Sequence, residues 1–350
     1  MRPIAARPTL ADRLAAGPVI CAEGYLFELE RRGYVQAGAF VPEVVLEAPA
    51  ALSALHREFA AAGSDVIEAF TYYAHREKLR TIGREGDLEE LNRTALALAA
   101  EVARETGTLL AGNICNTHVF EADDPASHDA ARAMFEEQVG WAADAGVDLV
   151  IAETFPFCEE ALLAVRTITA AGLPCVATLA IFREPVTFDG VAVAEACRRL
   201  AEAGAAVVGL NCMRGPASML ALLAPILAAV EVPVAALPVP YRTTEQEPAF
   251  VSLCDAGYPH PPGGRAFPTA LDPLSCNRYE IADFTREAVA LGVRYLGLCC
   301  GAGPHHVRAM AEALGRTPPA SRYSADMSRH ALFGDADTAE RARGRHEQRL

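Results

Sequence analysis

Along most of the chain one joint recurs: an alanine-rich stretch with helical spacing ends at a glycine, and an apolar, often β-branched run follows within a few residues. Ala62-Gly63 precedes Asp65-Val-Ile67, Thr106-Gly107 precedes Leu109-Leu-Ala111, and Ala145-Gly146 precedes Asp148-Leu-Val-Ile-Ala152. Ala171-Gly172 precedes Cys175-Val-Ala-Thr178, Ala203-Gly204 precedes Ala206-Val-Val208, and Leu291-Gly292 precedes Arg294-Tyr-Leu296. A glycine after the last helical turn takes the left-handed cap conformation, and a run apolar on both faces suits a buried parallel strand, so each joint predicts a helix feeding a strand. Pro18-Val-Ile20 and Val232-Pro-Val-Ala-Ala236 bring the count to eight strands, with helices predicted over 128–145, 157–171, 190–203, 216–229, 280–291 and 303–314. Eight alternating units predict an α/β fold of the (β/α)8 TIM-barrel type. A doubly wound open sheet is the alternative, but no glycine-rich phosphate turn follows the first strand.

Two stretches break the rhythm. From Val239 to Tyr279 runs a connection rich in Pro and Gly, placed after the seventh strand and far longer than a usual βα loop, and it is expected to cover the mouth of the barrel. Residues 1–315 therefore read as the barrel and 316–350 as a C-terminal arm or tail, beginning near Pro318-Pro-Ala-Ser321 and ending in a charged segment. That tail is either a solvated end or an arm gripping a second subunit.

Composition narrows the partners. The 350 residues carry 45 acidic and 31 basic side chains, a net charge of −14, which disfavours nucleic acid and leaves a small molecule as the expected partner. No run is long and apolar enough to span a membrane. Ten cysteines without framework spacing, and no apolar signal stretch after Met1, read as reduced thiols in a cytoplasmic protein.

In such barrels chemistry gathers at the C-terminal ends of the strands. Counting along each predicted strand places there Glu23, Tyr72, Tyr73, Asn113, Asn116, Glu153, Thr154, Asn211, Cys212, Cys299 and Cys300. Neighbouring strand residues point to opposite faces, so Cys299 and Cys300 share one ion only if the backbone turns at once, and Gly301 permits that turn. With Cys212 they form a three-thiolate set suited to zinc, leaving one tetrahedral position for a substrate atom. The alternative is that these are small buried core residues. Cys197 falls within a helix, Cys175 begins a strand, and Cys254 and Cys276 lie in the long connection, while Cys21, Cys115 and Cys158 lie near the mouth as spectators. Glu153 closes an apolar strand and needs a partner there, either the amino group of a ligand or a local base such as Arg183. Tyr72, Tyr73 and Phe40 are candidates for an aromatic wall around a cation. His305 and His306 are expected to cap the last helix and face the surface.

Several segments carry a family likeness: Glu30-Arg-Arg-Gly-Tyr34, Gly38-Ala-Phe40, Leu55-His-Arg-Glu-Phe59, Phe70-Thr-Tyr-Tyr-Ala74, Ile151-Ala-Glu153, Gly209-Leu-Asn-Cys-Met213 and Cys299-Cys-Gly301. From about Pro18 to Met327 the chain resembles the betaine–homocysteine S-methyltransferases, within the zinc-dependent homocysteine S-methyltransferases. The resemblance implies a catalytic set of Cys212, Cys299 and Cys300 holding zinc, with homocysteine sulfur taking the open position, and Glu153 binding its amino group. It also implies Phe40 and Tyr73 in the donor pocket, with Tyr72 where the family commonly has Phe, and an oligomerisation arm that makes a homodimer or homotetramer.

Two departures stand out. The first strand ends Ala22-Glu23-Gly24 where the family usually has Asp-Gly-Gly, so the acid has moved by one position, and Glu23 and Gly24 become the substrate-binding candidates there. Thr154 replaces a family tyrosine, which points to a changed donor pocket. The implied reaction is methyl transfer from a betaine-type donor, glycine betaine first, to homocysteine, giving methionine and dimethylglycine. The alternatives are a sulfonium donor such as S-methylmethionine or dimethylsulfoniopropionate, a corrinoid or folate protein that brings the methyl group, and a non-catalytic barrel that binds zinc or betaine.

Overall fold

The structure, a computed structural model, describes residues 7–255, 257, 264–330 and 333–335. Eight parallel strands close into a barrel in simple sequential order: β1 (Val19–Ala22), β2 (Val66–Glu68), β3 (Leu109–Cys115), β4 (Leu149–Phe155), β5 (Cys175–Leu179), β6 (Val207–Asn211), β7 (Val234–Leu237) and β8 (Tyr295–Leu298). β8 returns to β1, with Val19 opposite Tyr295 and Ala22 opposite Leu298. The open-sheet alternative is thereby excluded. All six predicted glycine joints sit at helix ends in positive-φ conformations, and the six predicted helices form over Pro125–Asp144, Cys158–Ala170, Val193–Glu202, Pro216–Ala229, Arg278–Leu291 and Pro304–Ala313.

Two apolar layers result. Residues pointing outward from the strands, such as Ile20, Ile67 and Val150, pack with the surrounding helices into the larger core. The inward residues Val19, Val66, Leu109, Leu149, Val176, Val207, Ala235 and Tyr295 fill the lower half of the barrel. The short helix Leu10–Ala16, begun by a Thr9 capping box, plugs that end with Leu10 and Leu14.

The long connection after β7 packs over the mouth, as expected. Phe250 N donates to Met213 O at 2.8 Å, and Tyr241, buried, stacks on Phe250 with ring centroids 5.7 Å apart. The described part of the tail lies against the barrel's outer helices: Arg316 pairs with Asp65 at 2.7 Å, and Arg308 donates to Ala320 O. Most of the charged end lies outside the described residues. Among the described residues no helix is long and apolar enough to cross a membrane.

Candidate active site

The two-residue period that makes the lower interior apolar makes the upper interior polar. One step above Cys21, Val66, Ala111, Ile151 and Gly209 stand Glu23, Glu68, Asn113, Glu153 and Asn211, all buried. Glu23, Glu68, Asn113 and Glu153 converge in a narrow pocket that is also lined by Tyr25, Tyr72, Cys299 and Cys300, and Asn211 is bonded to Glu153. Asn113 Nδ2 donates to Glu68 Oε1 and Glu153 Oε1, each at 2.6 Å, bridging the two carboxyls. Asn211 Nδ2 reaches Glu153 Oε2 at 2.6 Å and Thr154 Oγ1 at 2.8 Å, while its Oδ1 accepts from Thr154 N at 2.9 Å. A register shift between β4 and β5 falls at this point, and Thr154 takes φ 62°. A β-branched residue in the left-handed region is strained, and the bulge re-aims Glu153 and Thr154 toward the pocket.

No lysine or arginine lines this pocket. Burial, followed by repulsion from Glu153 and Glu68, pushes Glu23 well above the usual carboxylate range. Burial and then Glu153 do the same to Glu68, and burial raises Glu153 to about 7. The alternative pairing of Glu153 with Arg183 is not formed. Two buried acceptors here, Glu23 Oε1 and Asn113 Oδ1, have no donor among the described residues. A small ammonium group satisfies both the charge and the acceptors.

Beside the carboxyls, the sulfurs of Cys212, Cys299 and Cys300 lie within 4.8 Å of one another, all buried and all free. Cys212 follows β6 at φ 56°, which swings its side chain inward. Cys299 and Cys300 follow β8 and turn at Gly301, whose φ is 95°. A side chain at Gly301 would collide with the buried ring of Tyr241. Arg31 locks the turn from behind, donating to Gly301 O at 3.0 Å and to Tyr241 Oη at 2.9 Å. Hydrogen bonds from Cys299 and Cys300 hold the Cys212 thiol well below its ordinary range, and those same interactions push the other two up. One thiolate solvated by two thiols is an arrangement a soft divalent cation completes, and the donor set fits zinc.

The remaining candidates separate. Tyr72 and Tyr73 have ring centroids 4.3 Å apart, and Tyr73, at φ 61°, carries the Lys78 ammonium 4.1 Å from its centroid. Burial pushes both phenols up. Phe40 instead stacks on Phe27 at 5.4 Å, in an aromatic cluster with Phe250 and Phe267 of the long connection, and lines neither of the cavities described here. Gly24 abuts Ala302, and any side chain there would strike its carbonyl. His306 caps the last helix, its Nδ1 accepting from Gly303 N at 3.2 Å, but it is buried, with Nε2 against Cys276 O at 3.1 Å; only His305 is exposed. The surface role expected for His306 is corrected by that contact with the long connection.

Glu68 was missed by counting strand ends. β2 is three residues long, and its mouth was placed at Tyr72 and Tyr73, yet the inward Val66 two residues before it marks Glu68 as inward too.

A closed parallel barrel that gathers three thiols and a carboxylate-lined pocket at the C-terminal ends of its strands has the build of a barrel enzyme. Residues 21–314 match the family model described as homocysteine S-methyltransferase, and the chain belongs to that family, enzymes that move a methyl group onto homocysteine. It is 37% identical over 341 residues to a betaine–homocysteine S-methyltransferase 1 of Danio rerio, covering 95% of this chain and 82% of that one. It is 34% identical to an S-methylmethionine–homocysteine S-methyltransferase of Rattus norvegicus, covering 97% and 92%. The metallated homocysteine methyltransferase MmuM of Escherichia coli shares the fold, with a TM-score of 0.66 at 20% identity over 85% of this chain and 97% of that one.

Proposed function

We propose that the protein transfers a methyl group to homocysteine from a methylated ammonium donor, glycine betaine in the first instance, with Cys212, Cys299 and Cys300 holding zinc. The observation that carries this reading is the junction of three buried thiols with three buried carboxyls, Glu23, Glu68 and Glu153, in a pocket lined by no basic residue. Zinc, when bound, supplies the Lewis acidity that keeps a substrate thiol ionised at neutral pH.

The chain's own residues do the positioning. Glu153, oriented by Asn113 and Asn211, receives the homocysteine ammonium, with Glu23 and Glu68 completing the cradle. Tyr72, which lines this pocket and the neighbouring cavity, faces the donor together with Tyr73. A methylated cation is weakly hydrated and attracted to aromatic faces. The sulfur lone pair attacks a donor methyl carbon in line. The S–C bond forms as the C–N bond breaks, its electron pair leaves on nitrogen, and the products are methionine and a tertiary amine. Alignment of the two substrates supplies the rate.

A sulfonium donor is the second reading, supported by the S-methylmethionine-named relative. The arm from residue 316 on, which exposes Tyr323, Met327 and Phe333, supports a homodimer or homotetramer, and the reduced cysteines support a cytoplasmic protein. Metal analysis of purified protein, followed by methionine formation from homocysteine and glycine betaine, tests the reading. About one zinc per chain with turnover sustains it. Absence of zinc in protein kept reduced overturns the mechanism, and zinc with turnover only on sulfonium donors transfers the reading to the second.

A further inference from the structure

A second cavity of about 340 Å³ opens beside the first, on the β4–β5 side of the mouth. The two share Tyr72, and Met213, next to Cys212, forms part of the second. Its near end is Tyr72, Tyr73, Thr154 and Met213. Its far end is a group of phenylalanines from three connections: Phe120 and Phe157 with centroids 5.3 Å apart, Phe157 and Phe188 at 5.5 Å, and Phe182 and Phe188 at 4.8 Å. Asn116, His118 and Glu160 are the remaining polar side chains of the lining apart from Thr154 and the tyrosines, and no lysine or arginine is among them. Lys78, over the Tyr73 ring, lies outside the lining. The small Thr154 side chain is bonded to Glu153 and Asn211.

Three features bear on what fills this space. Its volume is at the lower end of those that enclose drug-sized ligands, roughly 300–1,000 Å³, and well above what glycine betaine occupies. Its walls are aromatic at both ends, which suits an onium head near the thiols and an apolar body beyond it. A donor carboxylate would meet a buried carboxyl, Glu160, and, among the described residues, no fixed positive charge in the cavity lining.

Resting on the methyl-transfer reading above, we propose that glycine betaine is a substrate but that the tighter-bound methyl donor is a quaternary ammonium or sulfonium compound with an apolar, aromatic or long-alkyl body in place of the carboxymethyl arm, held by Phe120, Phe157, Phe182 and Phe188. The chemistry stays balanced as before: one methyl passes to sulfur, and the electron pair leaves on the donor heteroatom, giving a tertiary amine or a thioether.

The test uses the full chain, zinc-loaded and reduced, with homocysteine at saturation and (2-phenylethyl)trimethylammonium compared with glycine betaine. Affinity is read by calorimetric titration and by competition, and turnover by methionine formation. The aromatic compound is expected to bind roughly tenfold tighter than glycine betaine, about the gain from burying one ring. Phe188→Ala, a substitution at the exposed rim, is expected to cut the ratio between the two compounds by a similar factor. Equal or tighter binding of glycine betaine, or a Phe188→Ala variant that weakens both alike, overturns the proposal. Methionine from glycine betaine with no advantage for the aromatic compound defeats this inference and leaves the methyl-transfer reading standing. Tight binding of the aromatic compound without methionine from any onium donor defeats the methyl-transfer reading, and the donor assignment falls with it.

Discussion

The lower and upper halves of the barrel interior are built on the same strands with the same alternation, yet they behave as different materials. Below, Val66, Leu109, Leu149 and Val207 meet Leu10 and Leu14 in a dry, apolar plug. Two to four residues further along the same strands, Glu68, Asn113, Glu153 and Asn211 form a polar layer whose carboxyls burial drives toward the neutral form. The non-glycine residues at positive φ among those described are Phe40, Tyr73, His118, Thr154, Cys212 and Met213; Thr154 lies at the irregular end of β4, and the others lie outside the strands. The lower half stabilises the fold, and the upper half spends part of that stability on holding strained residues and buried carboxyls.

The sharpest way to break the contrast is at the thiols. Cys300→Ser is expected to lose the metal and reduce methionine formation by on the order of a thousandfold, with the unfolding midpoint little changed for metal-free protein; metal content and thermal unfolding check both halves. Leu149→Ala, in the lower half, is expected to do the opposite: about 3 kcal/mol of stability lost to a cavity, read by urea unfolding, with kcat of the folded enzyme retained.

Glu160 tests the cost of burying carboxyls near the mouth. Burial raises it to about 7, against hydrogen bonds from Thr117 that lower it. Because its folded value lies above the ordinary carboxyl value of 4.5, the native state holds the proton more tightly between the two, so stability falls as pH rises from 4.5 to 7 and is level above. Glu160→Gln should remove that part of the slope, at most about 3 kcal/mol, measured by urea unfolding at pH 5 and pH 8. The smallest effects separate the carboxyls of the first pocket. Glu153→Gln is expected to raise the KM for homocysteine roughly thirtyfold, about 2 kcal/mol. Glu68→Gln, which keeps the oxygen that accepts from Asn113, should raise it only about fivefold. Both should narrow the preference for homocysteine over the same thiol lacking its amino group; an unchanged preference would assign Glu68 a structural role.

Much of this was readable in the chain. Glycine after each helix and an apolar run after each glycine are local consequences of backbone sterics and burial, so eight units and their order follow from sequence alone. The same holds for Cys299 and Cys300, since an adjacent pair before a glycine is a local arrangement, and for Glu153 as the polar end of an apolar strand. Barrel closure decided the rest, because strand tilt and register determine which strand ends meet across the interior. It brought Glu68 from a three-residue strand to Asn113, made Asn211 the hub that joins Glu153 to Thr154, and stacked Phe40 on Phe27. It also buried His306 beneath the long connection and opened a second cavity beside Thr154. Those are contacts between residues far apart in the chain, and their geometry exists only once the eight strands have closed.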